Sequence, residues 1–167
     1  MLFRSQTFYY AHRYEESVRQ LRKTLEIDPT SFYTHYTLGV ALQGKGDIPG
    51  AIVEYEKAKQ LSGDNLLVST LCAAAKAHAG DKDAARRMLS DLDRESQHRE
   101  VLGYWRALLY LSLNNKEEAL RWLEQSYEER DGSNINWIKV DPLLDSLHGD
   151  PRFEVLVQKV VTPKTTP

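Results

Sequence analysis

The chain has 167 residues, of which 41% are hydrophobic and 28% charged, with a formal net charge of −2. That length supports one core of ordinary size, and that composition excludes wholesale disorder. A near-neutral balance excludes a strong field toward nucleic acid or an anionic membrane surface, so neither is expected as a partner.

The N-terminus, Met1-Leu2-Phe3-Arg4-Ser5-Gln6, lacks the cationic region and apolar stretch of a secretory leader. No run approaches the roughly 20 apolar residues of a membrane-spanning helix, and the expected setting is cytoplasmic. Cys72 is the only cysteine and lies in the small apolar run Cys72-Ala73-Ala74-Ala75. It reads as a small buried hydrophobe and gives no sign of an oxidising compartment.

In chain order the elements come as helix pairs. The turn His12-Arg13 precedes a helix bearing Ser17, Val18 and Leu21, and Asp28-Pro29 stops that first pair. In the second pair Gly46-Asp47 ends one helix and caps the next, whose Ile48, Ala51, Ile52 and Tyr55 share one face. Gly63-Asp64 closes that pair. Gly80-Asp81 and Asn114-Asn115 then repeat the internal turn in the third and fourth.

These pairs keep one period. Ser17, Ala51, Ala85 and Ala119 stand 34 residues apart, each the small residue of its column. Ser5, Gly39, Ala73 and Ala107 form a second small column, and Leu21, Tyr55, Leu89 and Leu123 a large one. Small residues belong where two antiparallel helices cross closely, which places Gly39 and Ala51 at that crossing in the second pair. In the column Phe8, Leu42, Lys76 and Tyr110, Lys76 is the exception, its stem packing while its ammonium reaches water. A fixed period of this size means stacked supersecondary units.

This pattern resembles the tetratricopeptide repeat over residues 1–130. Leu38, Gly39, Leu42, Ala51, Tyr55 and Ala58 occupy that family's slots 7, 8, 11, 20, 24 and 27, while His35 and Gly63 depart from slots 4 and 32. The resemblance implies an all-α fold, a right-handed superhelical solenoid of about four antiparallel helix pairs. Met1 falls in slot 4, so the first pair is truncated, as in a chain continuing upstream in a larger protein.

After Arg130 the register degenerates. Asp131-Gly132-Ser133-Asn134 reads as a loop, and Trp137 takes slot 4. Asp141 stands in slot 8, where a small residue belongs. Asp150 and Pro151 look like an N-cap and first helical residue, followed by Phe153, Leu156, Val157 and Val160 on one face. Residues 131–161 are therefore expected as a degenerate capping unit on the last pair, and 162–167 as a frayed tail. The run around Asp141-Pro142 and Asp150-Pro151-Arg152-Phe153 is similar to the ends of bacterial repeat regions in signalling and transcription-regulating proteins.

No catalytic, cofactor or metal site is expected. The five histidines, His12, His35, His78, His98 and His148, have no metal-ligand spacing. Gly44-Lys45-Gly46 lacks the upstream glycine of a phosphate loop, and Glu15-Glu16, Glu117-Glu118 and Glu128-Glu129 point in different directions around their helices.

In the family, the first helices of the units line a concave surface that grips peptides. Carried over, those slots give a partner-binding groove of Gln6, Tyr10, Tyr33, Tyr36, Val40, Thr70, His78, Val101, Tyr104 and Leu108, with Tyr9, Gln43, Ala74 and Ala77 beside them. Tyrosine joins large contact area to a hydroxyl at low entropic cost, and its ring suits packing between units as well. The family's basic carboxylate-binding set is missing. The resemblance implies a non-enzymatic protein-interaction scaffold whose partner is another protein or peptide. The alternative reading is a regulatory or self-associating repeat region of a larger protein, partnered by another domain of its parent chain or by a second copy.

Overall fold

The computed structural model describes residues 2–63, 65–130 and 134–162, without the side chains of Leu2, Phe3, Arg4 and Asn134. Met1, Asp64, the central residues 131–133 of the expected loop and the tail from Pro163 onward lie outside the described residues. Among those described there is no strand. The helices are α1 (Leu2–Tyr10), α2 (Tyr14–Ile27), α3 (Phe32–Gly44), α4 (Ile48–Ser62), α5 (Leu66–His78), α6 (Lys82–Glu95), α7 (Gly103–Ser112), α8 (Lys116–Glu129) and α9 (Pro151–Val161). Short 3-10 turns at Asn134–Trp137 and Pro142–Leu147 lie between α8 and α9.

Each helix packs on the next from α1 to α8, giving the all-α solenoid of paired helices that the period predicts. The turn inside each pair is built alike. His12, Gly46, Gly80 and Asn114 all take a positive φ. The residue after each donates its N–H five residues back, as Asp47 does to Leu42 O at 2.9 Å and Asn115 to Tyr110 O at 2.9 Å. This arrangement satisfies the last carbonyls of the preceding helix. The same residue caps the next helix. Asp47 accepts from Gly50 N–H, Asp81 from Ala84 N–H and Asn115 from Glu118 N–H. Arg13 supplies no side-chain cap in the first pair.

Small and large columns meet where the helices cross. Ser17, Ala51, Ala85 and Ala119 are fully buried. At the crossing of the second pair Gly39 faces the ring of Tyr55, one turn on from the fully buried Ala51: a Cβ added there would lie 2.6 Å from two ring carbons. That ring is wholly enclosed, and its hydroxyl donates to Gln43 Oε1 at 3.0 Å. Lys76 extends to Glu56 Oε1 at 2.5 Å across the second and third pairs, half exposed as its position demands. His35, in its unusual slot, is buried between Glu54 Oε2 at 2.7 Å and Pro29 O at 3.0 Å.

The C-terminal segment meets both ends of the array. Arg152 pairs with Glu117 at 2.6 Å, and Phe153, Leu156 and Val157 of α9 are buried. Asp150 Oδ1 accepts from Arg152 N–H at 2.9 Å, capping that helix. Between the 3-10 turns, however, the chain crosses to α1, 132 positions away from Asp141 in sequence.

The Gly39–Tyr55 contact generates a direct expectation. Gly39→Ala forces the enclosed ring to shift, and overpacking of this kind costs about 1–3 kcal/mol, more than the roughly 1 kcal/mol alanine gains in helix propensity. Urea unfolding followed by circular dichroism should show a lowered midpoint; an unchanged or raised midpoint would contradict the close crossing.

Candidate interaction groove

Helices α1, α3, α5 and α7 are the first helices of their pairs, and their inward faces carry the tyrosines. Tyr9 and Tyr10 come from α1, Tyr33 and Tyr36 from α3, Leu67 and Leu71 from α5, and Tyr104 and Leu108 from α7. They converge because each first helix repeats its orientation along the solenoid, so residues one period apart stack along one concave face.

That face is occupied by the chain itself. Asp141, 8% exposed, inserts its carboxylate among the rings. Tyr9 donates its hydroxyl to Oδ1 at 3.2 Å, and Tyr104 donates to Oδ2. The Leu143 N–H adds a third hydrogen bond to Oδ1 at 3.0 Å, folding the 3-10 turn around the same carboxylate. Trp137 stacks on Tyr10 with centroids 5.1 Å apart and planes 8° from parallel, though the indole remains 49% exposed. Two contacts lie further out: His12 Nδ1 is 3.7 Å from Asp145, and Lys116 donates to Ser146 O at 2.5 Å.

The electrostatics follow from burying a charge among phenols. Burial pushes the Asp141 carboxyl above the usual carboxylate range, with nearby Asp145 adding to the rise; hydrogen bonds from Tyr104, the Leu143 N–H and Tyr9 pull the other way. Among the described residues no cation stands beside it to offset the loss of water. Tyr104 and Tyr9 are raised well above the phenol range, first by burial and then by the Asp141 charge. Tyr10 is pushed up to about 12 by burial, then by Asp141 and Tyr33. All three phenols stay protonated near neutral pH, and those of Tyr9 and Tyr104 act as donors to Asp141.

The expected groove residues divide into three groups. Tyr10, Tyr36, Val40, Tyr104 and Leu108 line one small cavity of about 50 Å³ together with Asp141 and Leu143. Gln6 and Tyr33 sit beside it, Gln6 Nε2 donating to the Tyr33 hydroxyl at 2.6 Å and Tyr33 meeting Tyr36 edge to face at 5.5 Å. His78 opens instead onto a larger cavity of about 240 Å³, with Gln43, Ala74, Leu111, Asn114 and Lys116. Burial and the neighbouring Lys82 lower the His78 pKa. Two residues do not join the aromatic face: Thr70 is fully buried, and Val101 packs with Ala73, Ala74, Ala77 and Met88 in a separate cluster. Val40, Tyr104 and Leu108 are themselves buried, and they share their cavity with Asp141 and Leu143 of the crossing segment.

Asp141 and Leu143 are the groove residues that the periodic reading left out. Their signal was present as a misfit, a charged residue in a column of small ones followed directly by proline. The register places such a residue at a helix crossing, whereas here the unit abandons its first helix and the side chain is free to turn into the groove.

The Tetratricopeptide repeat family model matches residues 104–131, which span nearly all of the α7–α8 pair. No curated protein and no solved structure gives a significant match.

Two predictions follow from the carboxylate. Asp141→Ala leaves two buried phenol hydroxyls without their acceptor, and an unsatisfied buried donor costs about 1–3 kcal/mol; chemical unfolding should report that loss. A raised pKa also means the folded chain holds this proton more tightly than the unfolded one. Stability from this group is highest below the ordinary carboxylate pKa of about 4 and falls as pH rises through the raised value. Urea titrations of wild type and Asp141→Asn across that range should therefore show wild type losing ground to the variant with rising pH. A relative gain by wild type would reverse the assigned direction.

Proposed function

We propose that this chain, whose residues 104–131 are a tetratricopeptide repeat, is a non-catalytic interaction module that holds a peptide segment in its tyrosine-rich concave groove. Such repeats mediate protein–protein interaction. The groove reading is supported by one observation above the others: the concave face takes up a turn and short 3-10 helix, here the chain's own Ile138–Leu147, through phenol hydroxyls and apolar walls. A surface that accommodates irregular backbone and one polar anchor has the chemistry for binding short segments from another protein. Unfilled space remains beside that stretch in the cavity next to His78.

Rings on α3 supply contact area at low entropic cost, with one hydroxyl each for orientation. No helix among the described residues is long and apolar enough to cross a membrane, and no group of three or more metal-binding side chains occurs among them.

The reading is tested by selecting ligands from a random-peptide display library on the immobilised full chain and measuring their affinity for wild type and for Tyr33→Ala/Tyr36→Ala. Folded double variant should bind at least about tenfold more weakly, a loss of about 1.4 kcal/mol. Selected peptides that bind both proteins equally, or a library that yields none, would remove the groove as the interaction surface.

A further inference from the structure

The segment in the groove is poorly explained as a structural cap alone. A cap needs apolar residues against the last pair, and Phe153, Leu156 and Val157 of α9 provide them. Asp141 does something different. Its column holds Ser5, Gly39, Ala73 and Ala107 in the four preceding units, so helix packing asks for a small residue there. The chain instead buries an acid with no cation beside it among the described residues, an arrangement that a neutral side chain of similar size would equal or better for stability alone.

The fit is also incomplete. Leu143 and Ser146 form one wall of the cavity of about 240 Å³, whose other walls include apolar Leu71, Leu108 and Leu111 and polar His78, Asn114 and Lys116. A dry cavity of about 150 Å³ already accepts a benzene ring. Leucine at position 143 thus leaves room that a bulkier side chain would fill. No acidic side chain lines this cavity.

We infer that Ile138–Leu147 is a resident stand-in for the ligand, and that the groove recognises a segment from a partner protein with an acidic residue accepting hydrogen bonds from Tyr9 and Tyr104, followed two positions later by a large apolar residue. The inference rests on the groove being the interaction surface and specifies what it takes. Binding then requires the resident segment to leave. Ile138, Leu144 and Leu147 are fully buried and oppose its departure. The protein is accordingly closed at rest, and a partner binds in competition with its own C-terminal segment.

The test uses the full chain and a fluorescent peptide with the sequence of residues 138–149. In anisotropy titrations, Asp141→Ala, which loosens the resident segment but keeps both phenols, should bind this peptide at least tenfold more tightly than wild type. A peptide carrying Leu143→Phe should bind more tightly still, and one carrying Asp141→Ala should lose binding. In case the protein variant does not fold, hydrogen exchange on wild type gives the second readout. Excess Leu143→Phe peptide should speed exchange of amides 143–147 while α3, α5 and α7 gain protection. Binding indifferent to the peptide's aspartate, or no accelerated exchange under excess peptide, overturns the inference. Library peptides that lack an acidic residue yet depend on Tyr33 and Tyr36 would overturn it too, while leaving the interaction reading intact.

Discussion

A carboxylate held by two phenols, one from the first helix pair and one from the fourth, ties the C-terminal segment of this molecule into its concave face. In a stacked array each unit touches only its neighbours, so the first and last have no reason to meet. Here Tyr9 of the first pair and Tyr104 of the fourth share the two oxygens of Asp141. Around that point the Tyr10–Trp137 stack and the His12–Asp145 pair extend the junction toward solvent. An open groove becomes a closed ring of contacts, and the concave face becomes part of the core that includes Leu38, Leu71, Ile138 and Phe153.

The choice of phenols over cations matters to what the groove can do. A guanidinium beside Asp141 would fix the acid strongly, and breaking such a buried pair would be costly. Tyrosine hydroxyls supply directed donors without a full charge, so the acid is oriented yet incompletely compensated. Elsewhere the chain does pair its acids with cations at the junctions between units. Glu56 meets Lys76, and buried Arg106 reaches Asp93 at 3.0 Å while lying over the Trp122 ring. The contrast separates contacts that hold the units together from the one that holds the crossing segment.

The helix pairs were legible because their determinants are local. A residue in the left-handed region followed by a capping side chain is a two-residue signal, and it recurs at Gly46-Asp47, Gly80-Asp81 and Asn114-Asn115 with both roles filled. His12-Arg13 keeps the backbone geometry without a side-chain cap, and its weaker sequence signal corresponds to that loss. That the groove is occupied was legible only as the misfit of Asp141 in a column of small residues. Its contacts join residues more than a hundred positions apart, and no local pattern records where an irregular segment lies. Slot positions identified Tyr10, Tyr36 and Tyr104 as concave, but the same slots also named Thr70, which is wholly enclosed, because burial depends on what covers a surface as well as on which face it occupies.

Tethering sets the energetic problem that a partner of the proposed groove would meet. A segment joined by a short linker behaves as though present at about millimolar concentration, so a partner at micromolar concentration with identical contacts is outcompeted by about a thousandfold, or about 4.1 kcal/mol. Roughly five additional buried methylene groups would offset that difference at about 0.8 kcal/mol each. Unfilled space beside Leu143 is where such contacts are available, and the Tyr33–Tyr36 face offers aromatic surface beyond the resident segment. The uncompensated charge works in the same direction, since every increment of free energy spent on burying Asp141 lowers the advantage of the tethered segment. In the proposed mode of binding, selectivity follows from the mismatch between groove and occupant: a segment that merely copies Asp141 and Leu143 loses to the tether, and one that also fills the cavity does not.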